Sequence, residues 1–117
     1  MKQLSLSFNK IYVEYMSIST STRGKTFRDE VYDIVANIKK GHVLTYGEVA
    51  RRAGRPGAAR AVGTVMKENP DTKRVPCHRV VRADGSIGEY AFGGTRAKLK
   101  KLREEGVKFL SATRVKI

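Results

Sequence analysis

The chain holds a single cysteine, Cys77, which directly follows a proline and directly precedes a histidine. A thiolate is a strong nucleophile, and cationic neighbours lower the pKa of a thiol. Arg74, His78 and Arg79 are near in sequence and are expected to provide such surroundings. Pro76 fixes its own backbone angle φ, so the cysteine is expected at a defined turn. These residues alone leave open whether Cys77 is a reactive thiol or a small buried apolar side chain.

The length and the charge of the chain predict its organisation and its partner. A chain of 117 residues predicts one domain. The net charge is +13, from 24 Lys and Arg against 11 Asp and Glu, which is more than solubility requires. Such a positive charge predicts that the binding partner is a polyanion. The basic residues are spread along the chain, which favours nucleic acid over a membrane surface as that partner. The alternative is a general enrichment in lysine and arginine as an adaptation to a hot or salty habitat, but such an enrichment usually comes with a matching number of glutamates.

Several classes of protein are excluded. No apolar run reaches the roughly 18 residues that span a bilayer, and the first eight residues alternate unlike a signal peptide. One cysteine forms no internal disulfide and builds no cysteine-rich zinc site. The sequence therefore predicts a cytoplasmic protein, or a nuclear one in a eukaryote, with a reduced thiol and no membrane partner.

The elements that must position Cys77 follow from periodicity and capping signals. Residues 3–8 and 11–19 alternate and predict a small N-terminal β-hairpin, so residues 1–25 are interpreted as this hairpin and a linker, and 26–117 as the main domain. Thr26 and Asp29 form a capping-box pattern that begins a core helix, which ends near Gly41.

Two short helices follow. Thr45 begins one with a second capping-box pattern, and it runs through Arg52; Pro56 suits the first position of the next, which runs to about Glu68. Two short helices around a glycine-containing turn favour a helix-turn-helix, although a plain helical hairpin stays open. The predicted fold class is α+β, a mainly helical, winged-helix-like domain.

One face of the third helix is small and basic: Arg60, Ala61, Gly63, Thr64 and Lys67. Small side chains let a helix backbone approach DNA closely, whereas a helix that reads bases carries more long polar side chains. This face therefore predicts a close, sequence-tolerant approach to DNA, with Arg60 able to reach between bases.

The C-terminal third is expected to support the site. An Asp-Gly turn at residues 83–86 predicts a hairpin between residues 80–81 and Ile87. Thr95 is expected to cap a last helix, with Leu102 buried, Lys98 exposed and Gly106 at its end. Residues 107–117 alternate weakly, which leaves a strand or a trailing tail open.

Three motifs together carry a resemblance. The helix-turn-helix ends in residues 60–63 (Arg-Ala-Val-Gly), Asn69-Pro70 follows, and then residues 76–80 (Pro-Cys-His-Arg-Val). This combination resembles the active-site domain of the O6-alkylguanine-DNA alkyltransferases, also called methylated-DNA–protein-cysteine methyltransferases, over residues 26–106. The resemblance implies irreversible, single-use transfer of an alkyl group from O6-alkylguanine in double-stranded DNA, after nucleotide flipping. It implies no cofactor and no metal, and the chain is expected to be a monomer.

The resemblance also implies roles at the reacting centre. Cys77 would be the alkyl acceptor, and His78 and Glu105 would withdraw its proton through a bound water. Asn69 would brace the turn before Cys77. Tyr90 would give a proton to the leaving guanine.

Further roles concern the nucleotide. Tyr46 would crowd the 3′ phosphate and rotate the nucleotide outward, and Arg60 would fill the gap in the base stack. Met66 and Tyr90 would line the base pocket, where the Val80 main chain would contact the base. Without the resemblance, core packing is the favoured interpretation of Tyr46 and Met66.

One departure and two alternatives remain. Residues 90–94, Tyr-Ala-Phe-Gly-Gly, are longer than the Tyr-Ser-Gly-Gly common in the family. A serine contact to the base oxygen is therefore missing, and tolerance for bulkier alkyl groups or weaker activity could follow.

A non-catalytic, lesion-binding protein of the alkyltransferase-like type is one alternative function, but such proteins have another residue at the position of Cys77. A transcriptional regulator is the other, and the bare face of the third helix argues against it.

Overall fold

The computed structural model describes residues 25–88 and 90–117, so the hairpin predicted for residues 3–19 lies outside the described residues. The described elements are α1 (Phe27–Ala36), β1 (Leu44–Thr45), α2 (Tyr46–Arg52), α3 (Ala59–Lys67), a 3₁₀ turn (Cys77–Arg79), β2 (Val80–Val81), α4 (Gly94–Glu104), β3 (Phe109–Ser111) and β4 (Arg114–Val115). The predicted α+β class is confirmed. No helix in this part of the chain is long and apolar enough to cross a membrane.

Helix α1 begins at the predicted capping box. Thr26 Oγ1 accepts the Asp29 N–H at 3.1 Å, and the Asp29 carboxylate accepts the Thr26 N–H at 3.2 Å. The two reciprocal bonds satisfy amide groups that the first turn of a helix leaves unpaired. Val31 and Val35, one turn apart, are fully buried against the helices that follow.

Helices α2 and α3 form the predicted helix-turn-helix. Thr45 caps α2, since its Oγ1 accepts the Glu48 N–H at 3.0 Å, but the Glu48 carboxylate binds Arg51 and Arg52 in place of completing a box. The predicted start of α3 at Pro56 is wrong, because Gly57 has φ +91°, which a right-handed helix does not accommodate.

The predicted hairpin between residues 80–81 and Ile87 is also wrong. Strand β2 pairs in parallel with β1, with Leu44 opposite Val80 and Thr45 opposite Val81. The turn at residues 83–86 does form, but it pairs with the C-terminal tail: the Val115 N–H donates to the Gly85 carbonyl at 2.8 Å. Residues 107–117, left open by the sequence, form the antiparallel pair β3–β4.

Helix α4 differs from its prediction at two places. Its N-cap is Gly93, with φ +116°, so Thr95 lies inside the helix and does not cap it. Lys98, expected in solvent, is 1% exposed, since it lies on the inner side of α4 with Leu102. The predicted end is confirmed, since Gly106 has φ +83° just after the helix.

Strand β2 joins the two apolar clusters of the described chain. Successive strand residues point to opposite faces. Val80 therefore packs into the cluster built by α1, α2 and α3, and Val81 into the cluster built by α4 and the tail. The turn that carries Cys77 lies immediately before β2, at the junction of the clusters.

Candidate active site

The backbone before Cys77 is held by Asn69, which is 4% exposed. Asn69 Nδ2 donates to the Val75 carbonyl at 2.7 Å, and its Oδ1 accepts the Asp71 N–H at 3.0 Å. The Cys77 N–H donates to the same Val75 carbonyl at 2.8 Å. One buried amide thus ties the end of α3 to the reactive-site turn, the place at which the resemblance predicts a bracing role.

The Cys77 thiol is buried, with 4% of the residue exposed. Burial raises the pKa of the thiol, because a low-dielectric environment disfavours the thiolate. A hydrogen bond with the Asn69 side chain and the charges of Lys98 and Lys101 oppose this shift without cancelling it. The resting thiol is therefore protonated at neutral pH and needs a group that accepts its proton.

The cations near the thiol are not its sequence neighbours, so the predicted surroundings are wrong in this respect. Arg74 is exposed, and Arg79 turns away from the thiol to Glu105. Residues i and i+2 of a 3₁₀ turn point in different directions, which separates Cys77 from Arg79. The charges that act on Cys77 come from α4.

His78 and Glu105 lie in contact, with 2.9 Å between His78 Nε2 and Glu105 Oε2. Their side chains are only 8% and 13% exposed. Burial lowers the pKa of His78, and Glu105 opposes this only in part. A neutral ring that donates its Nε2–H to the carboxylate keeps Nδ1 as an acceptor. The pair therefore has the arrangement of a base with an orienting carboxylate.

Arg79 completes what we call the ion-paired network of His78, Arg79 and Glu105. Its Nε and Nη2 donate to the two Glu105 oxygens at 2.9 and 2.7 Å, and its Nη1 donates to the Ile38 carbonyl at 2.6 Å. Burial of Glu105 disfavours its charge, but the bonds from Arg79 and His78 outweigh this and hold the pKa of the carboxyl below its usual value. Sequence reasoning missed this role, and the separation of 26 residues gives no local signal for it.

Lys98 is a second functional candidate that the sequence did not reveal. Its Nζ donates to Tyr46 Oη at 3.4 Å and lies 5.6 Å from the centroid of the Tyr46 ring. Burial lowers the pKa of Lys98 to about 8, with Cys77 opposing and Arg82 adding to the shift. Lysine on a helix is nearly always exposed, so composition and periodicity predict the opposite placement.

A cleft of about 600 Å³ opens between α3, the start of α2 and the segment before α4. It is lined by Tyr46, Ala59, Arg60, Gly63, Thr64, Met66, Lys67, Cys77, Arg82, Gly88, Tyr90, Ala91 and Phe92. No carboxylate belongs to this lining among the described residues. The cleft thus combines a thiol, apolar surface and three cations (Arg60, Lys67 and Arg82), which suits a flat apolar group attached to an anionic chain.

Most of the predicted nucleotide-binding residues meet in this cleft, and two do not. Tyr46, Arg60, Met66 and Tyr90 line it, as do three further residues of α3. Ala61 is exposed outside the lining. Val80 is fully buried, and its N–H donates to the Cys77 carbonyl, so it lies behind the turn.

Tyr90 has an unusual hydroxyl. The residue is 8% exposed, and its Oη is buried without a hydrogen-bond partner among the described residues. Burial raises the pKa of Tyr90, as does nearby Cys77, so the hydroxyl keeps its proton. A buried hydroxyl without a partner costs stability, and a ligand that accepts its proton would remove that cost.

The described residues contain no cluster of three His, Cys, Asp or Glu side chains that could hold a metal ion.

Comparison with known proteins gives a family match over most of the chain. Residues 26–107 match the family model described as 6-O-methylguanine DNA methyltransferase, DNA binding domain. The methylated-DNA–protein-cysteine methyltransferase of Shigella flexneri is 44% identical over 90 residues, which are 77% of this chain and 52% of that protein. The protein of the same name from Methanothermobacter thermautotrophicus is 43% identical over 81 residues, 69% of this chain and 44% of that protein. The chain spans about half the length of these curated relatives.

Solved structures of two kinds are similar to this fold. The crystal structure of Mycobacterium tuberculosis OGT in complex with DNA matches with a TM-score of 0.66 and 42% identity, over 72% of this chain and 52% of that chain. That of S. pombe Atl1 in complex with damaged DNA containing O6-carboxymethylguanine matches with a TM-score of 0.64 and 40% identity, over 78% of this chain and 87% of that chain.

Proposed function

Since the chain belongs to the 6-O-methylguanine DNA methyltransferase family, we propose that it repairs O6-alkylguanine in DNA by transferring the alkyl group to Cys77. The observation that carries the proposal is the position of Cys77, whose thiol lines the cleft while the next residue, His78, is hydrogen-bonded to Glu105. A nucleophile next to an oriented base is the arrangement that activates a buried thiol.

Access to the base requires the nucleotide to leave the duplex. A duplex stacks and pairs the guanine, so extrusion costs a few kcal/mol. The cations that line the cleft attract the phosphate backbone. Arg60, exposed on α3, is in a position to fill the vacated stack, and the small residue Gly63 beside it in the lining lets α3 approach closely.

The chemical step is a displacement at the alkyl carbon. The thiol proton passes towards His78, and the Cys77 sulfur forms a bond to the alkyl carbon as the bond from that carbon to guanine O6 breaks. The electron pair stays on guanine, which takes a proton from Tyr90, and a thioether remains on the protein. No group in this scheme cleaves the carbon–sulfur bond of the thioether, so each protein molecule reacts once.

The test is the mass of the intact protein after incubation with a duplex that contains O6-methylguanine. We expect a gain of one methyl group, located by peptide mapping on the fragment that holds Cys77. Cys77→Ala should show no gain and should still bind the duplex. A wild-type protein that binds this duplex without any gain in mass contradicts the proposal.

A second candidate function is lesion recognition without reaction, favoured by the similarity to Atl1 over 87% of the length of that chain. It predicts tighter binding to alkylated than to plain duplex with the mass unchanged. The intact Cys77 and the adjoining ion-paired network favour transfer, because a protein that only binds has no need of an oriented base on the residue that follows a buried cysteine.

A further inference from the structure

A basic surface outside the cleft is formed by the C-terminal strands β3 and β4. Phe109 lies opposite Val115 in this pair, and both side chains pack into the apolar cluster of α4 and the tail, so they form the inner face. Successive residues of a strand point to opposite faces. Lys108 and Lys116, one position before Phe109 and one after Val115, are therefore on the outer face, and both are exposed.

The two lysines lie directly opposite each other, and the Lys116 N–H donates to the Lys108 carbonyl at 2.9 Å. Neither side chain forms an ion pair or a hydrogen bond with another residue in the part of the chain that the structure describes. Like charges at directly opposite positions of an antiparallel pair destabilise it. An anion bound over what we call the opposed lysines, Lys108 and Lys116, would remove that repulsion.

The outer face has a fixed position beside the cleft. Arg82, whose side chain lines the cleft, is followed directly by the turn at residues 83–86. The Val115 N–H donates to the Gly85 carbonyl of that turn at 2.8 Å, and a Cβ on Gly85 would lie only 2.4 Å from the Val115 carbonyl oxygen. Strand β4 is therefore packed directly on the turn that follows the cleft wall.

One further cation lies between Arg82 and the opposed lysines. Arg114 is two positions before Lys116 on β4 and so points to the same face. Its guanidinium is half exposed and lies 3.6 Å from the Asp84 carboxylate, which leaves other N–H donors of the group to solvent. A row of cations that begins in the cleft and continues over the tail suits the phosphate backbone of nucleic acid.

We propose that the outer face of β3 and β4 binds the DNA backbone beyond the flipped nucleotide, with the opposed lysines in contact with its phosphates. This inference rests on the proposed function for its partner, DNA, and adds a second contact surface to that function. The opposed lysines contribute to affinity and to its dependence on salt, because each phosphate contact releases bound counterions.

The experiment measures the affinity for an unmodified duplex of about 30 base pairs by fluorescence anisotropy at several salt concentrations. In the double variant Lys108→Gln/Lys116→Gln we expect the affinity to fall about tenfold at about 0.1 M salt. The plot of log affinity against log salt should become shallower by about one to two, since each lost contact contributes about 0.9 to its slope. Lys108→Arg/Lys116→Arg keeps both charges and should stay within about twofold of the wild type.

The matched control is Lys39→Gln/Lys40→Gln, which removes the same charge from two exposed lysines between α1 and β1, outside the cleft. It should leave the affinity and the slope nearly unchanged. An equal loss in the two glutamine variants would mean that only net charge matters, and no loss in Lys108→Gln/Lys116→Gln would mean that DNA does not contact this face; either result overturns the inference. The midpoint of urea unfolding of Lys108→Gln/Lys116→Gln should not fall, because the repulsion is removed, and a fall would contradict the repulsion from which the surface is inferred.

This test does not require alkyl transfer, so its failure and that of the proposed function are distinguishable. A wild type that binds the duplex through the opposed lysines but gains no methyl group contradicts transfer and supports the second surface. A wild type that gains the methyl group, with the affinity of Lys108→Gln/Lys116→Gln unchanged, contradicts only the second surface.

Discussion

The two sides of the turn Cys77–Arg79 are built in opposite ways. On one side, His78, Arg79 and Glu105 form a closed network whose bonds are no longer than 2.9 Å. On the other side, Cys77 and Tyr90 border the cleft, and the Tyr90 hydroxyl has no partner among the described residues. Native proteins satisfy nearly all buried polar groups, so the Tyr90 hydroxyl is a position at which a ligand or a water molecule in the cleft would accept a hydrogen bond.

The difference separates support from reaction. The bonds of the network hold Glu105 ionised, burial keeps His78 neutral, and Arg79 anchors the network to the Ile38 carbonyl just after α1. In the proposed reaction, the network keeps His78 in place as a proton acceptor. On the cleft side, burial raises the pKa values of the Cys77 thiol and the Tyr90 hydroxyl, so both groups are protonated in the absence of substrate. Variants on the two sides should therefore differ in what they do to stability and to rate.

The largest effect is expected for Glu105→Gln, on the network side. A neutral amide cannot stabilise a protonated His78, so the transfer rate should fall about 100-fold, within the range of general-base catalysis. It also leaves Arg79 without its anionic partner, so the free energy of unfolding should fall by about 3 kcal/mol. Single-turnover rates and urea unfolding measure the two effects.

The adjacent Glu104, whose side chain is 63% exposed, provides the control. Glu104→Gln should leave both the rate and the free energy of unfolding nearly unchanged. If Glu105→Gln destabilises the protein but transfers at the wild-type rate, the network is a structural ion pair and takes no part in proton transfer.

A smaller effect on rate, with the opposite effect on stability, is expected for Tyr90→Phe. Loss of the proton donor should slow transfer about tenfold, at the low end of general-acid contributions. The free energy of unfolding should stay unchanged or rise by about 1 kcal/mol, because a buried hydroxyl without a partner is removed. Single-turnover transfer and urea unfolding again give both values.

Tyr32 is the matched control, since its hydroxyl donates to the Val65 carbonyl at 3.2 Å. Tyr32→Phe loses this bond and the one that Arg28 Nη1 donates to the hydroxyl at 3.2 Å, so it should cost about 1 to 2 kcal/mol of stability and leave the rate unchanged. A destabilised Tyr90→Phe protein with a normal rate would remove Tyr90 from the mechanism.

Much of the fold around the site can be predicted from local sequence. The cap at Thr26, the helix-turn-helix and the end of α4 depend on residues only a few positions apart, and the structure agrees with them. The hairpin expected at residues 80–87 fails because β1 and the tail, both distant in sequence, take its partners. A local pattern carries no record of such competition.

The charged residues show the same limit more sharply. Arg79 lies in the same turn as Cys77 but faces Glu105, whereas Lys98, 21 positions after Cys77, acts on the thiol. Lysine on a helix is normally solvated, so nothing in its own segment predicts its burial. Only the resemblance predicts the pairing of His78 with Glu105, because the two residues are 27 positions apart.

The smallest and most conditional effect is expected for Lys98→Met, on the cleft side. At neutral pH Lys98 is charged and lowers the pKa of the thiol, so its loss should slow transfer several-fold. The pKa of Lys98 is about 8, so its charge disappears above that pH, and the transfer rates of the wild type and of Lys98→Met should converge there. Lys100→Met on the exposed face of α4 should show no such convergence. A rate ratio that stays constant across this pH range would mean that Lys98 acts by packing alone.

Linkage provides a second readout of the same variant. The pKa of Lys98 is lowered from 10.5 to about 8 in the folded protein, so between these pH values the unfolded chain binds more protons. The stability of the wild type relative to Lys98→Met should therefore rise with pH across this window, and it should be lowest, by a few kcal/mol, below about pH 8. Urea unfolding at both ends of the window measures this difference. A difference in stability that does not depend on pH would show that Lys98 keeps its proton throughout, and its charge would then act on Cys77 at every pH at which the protein works.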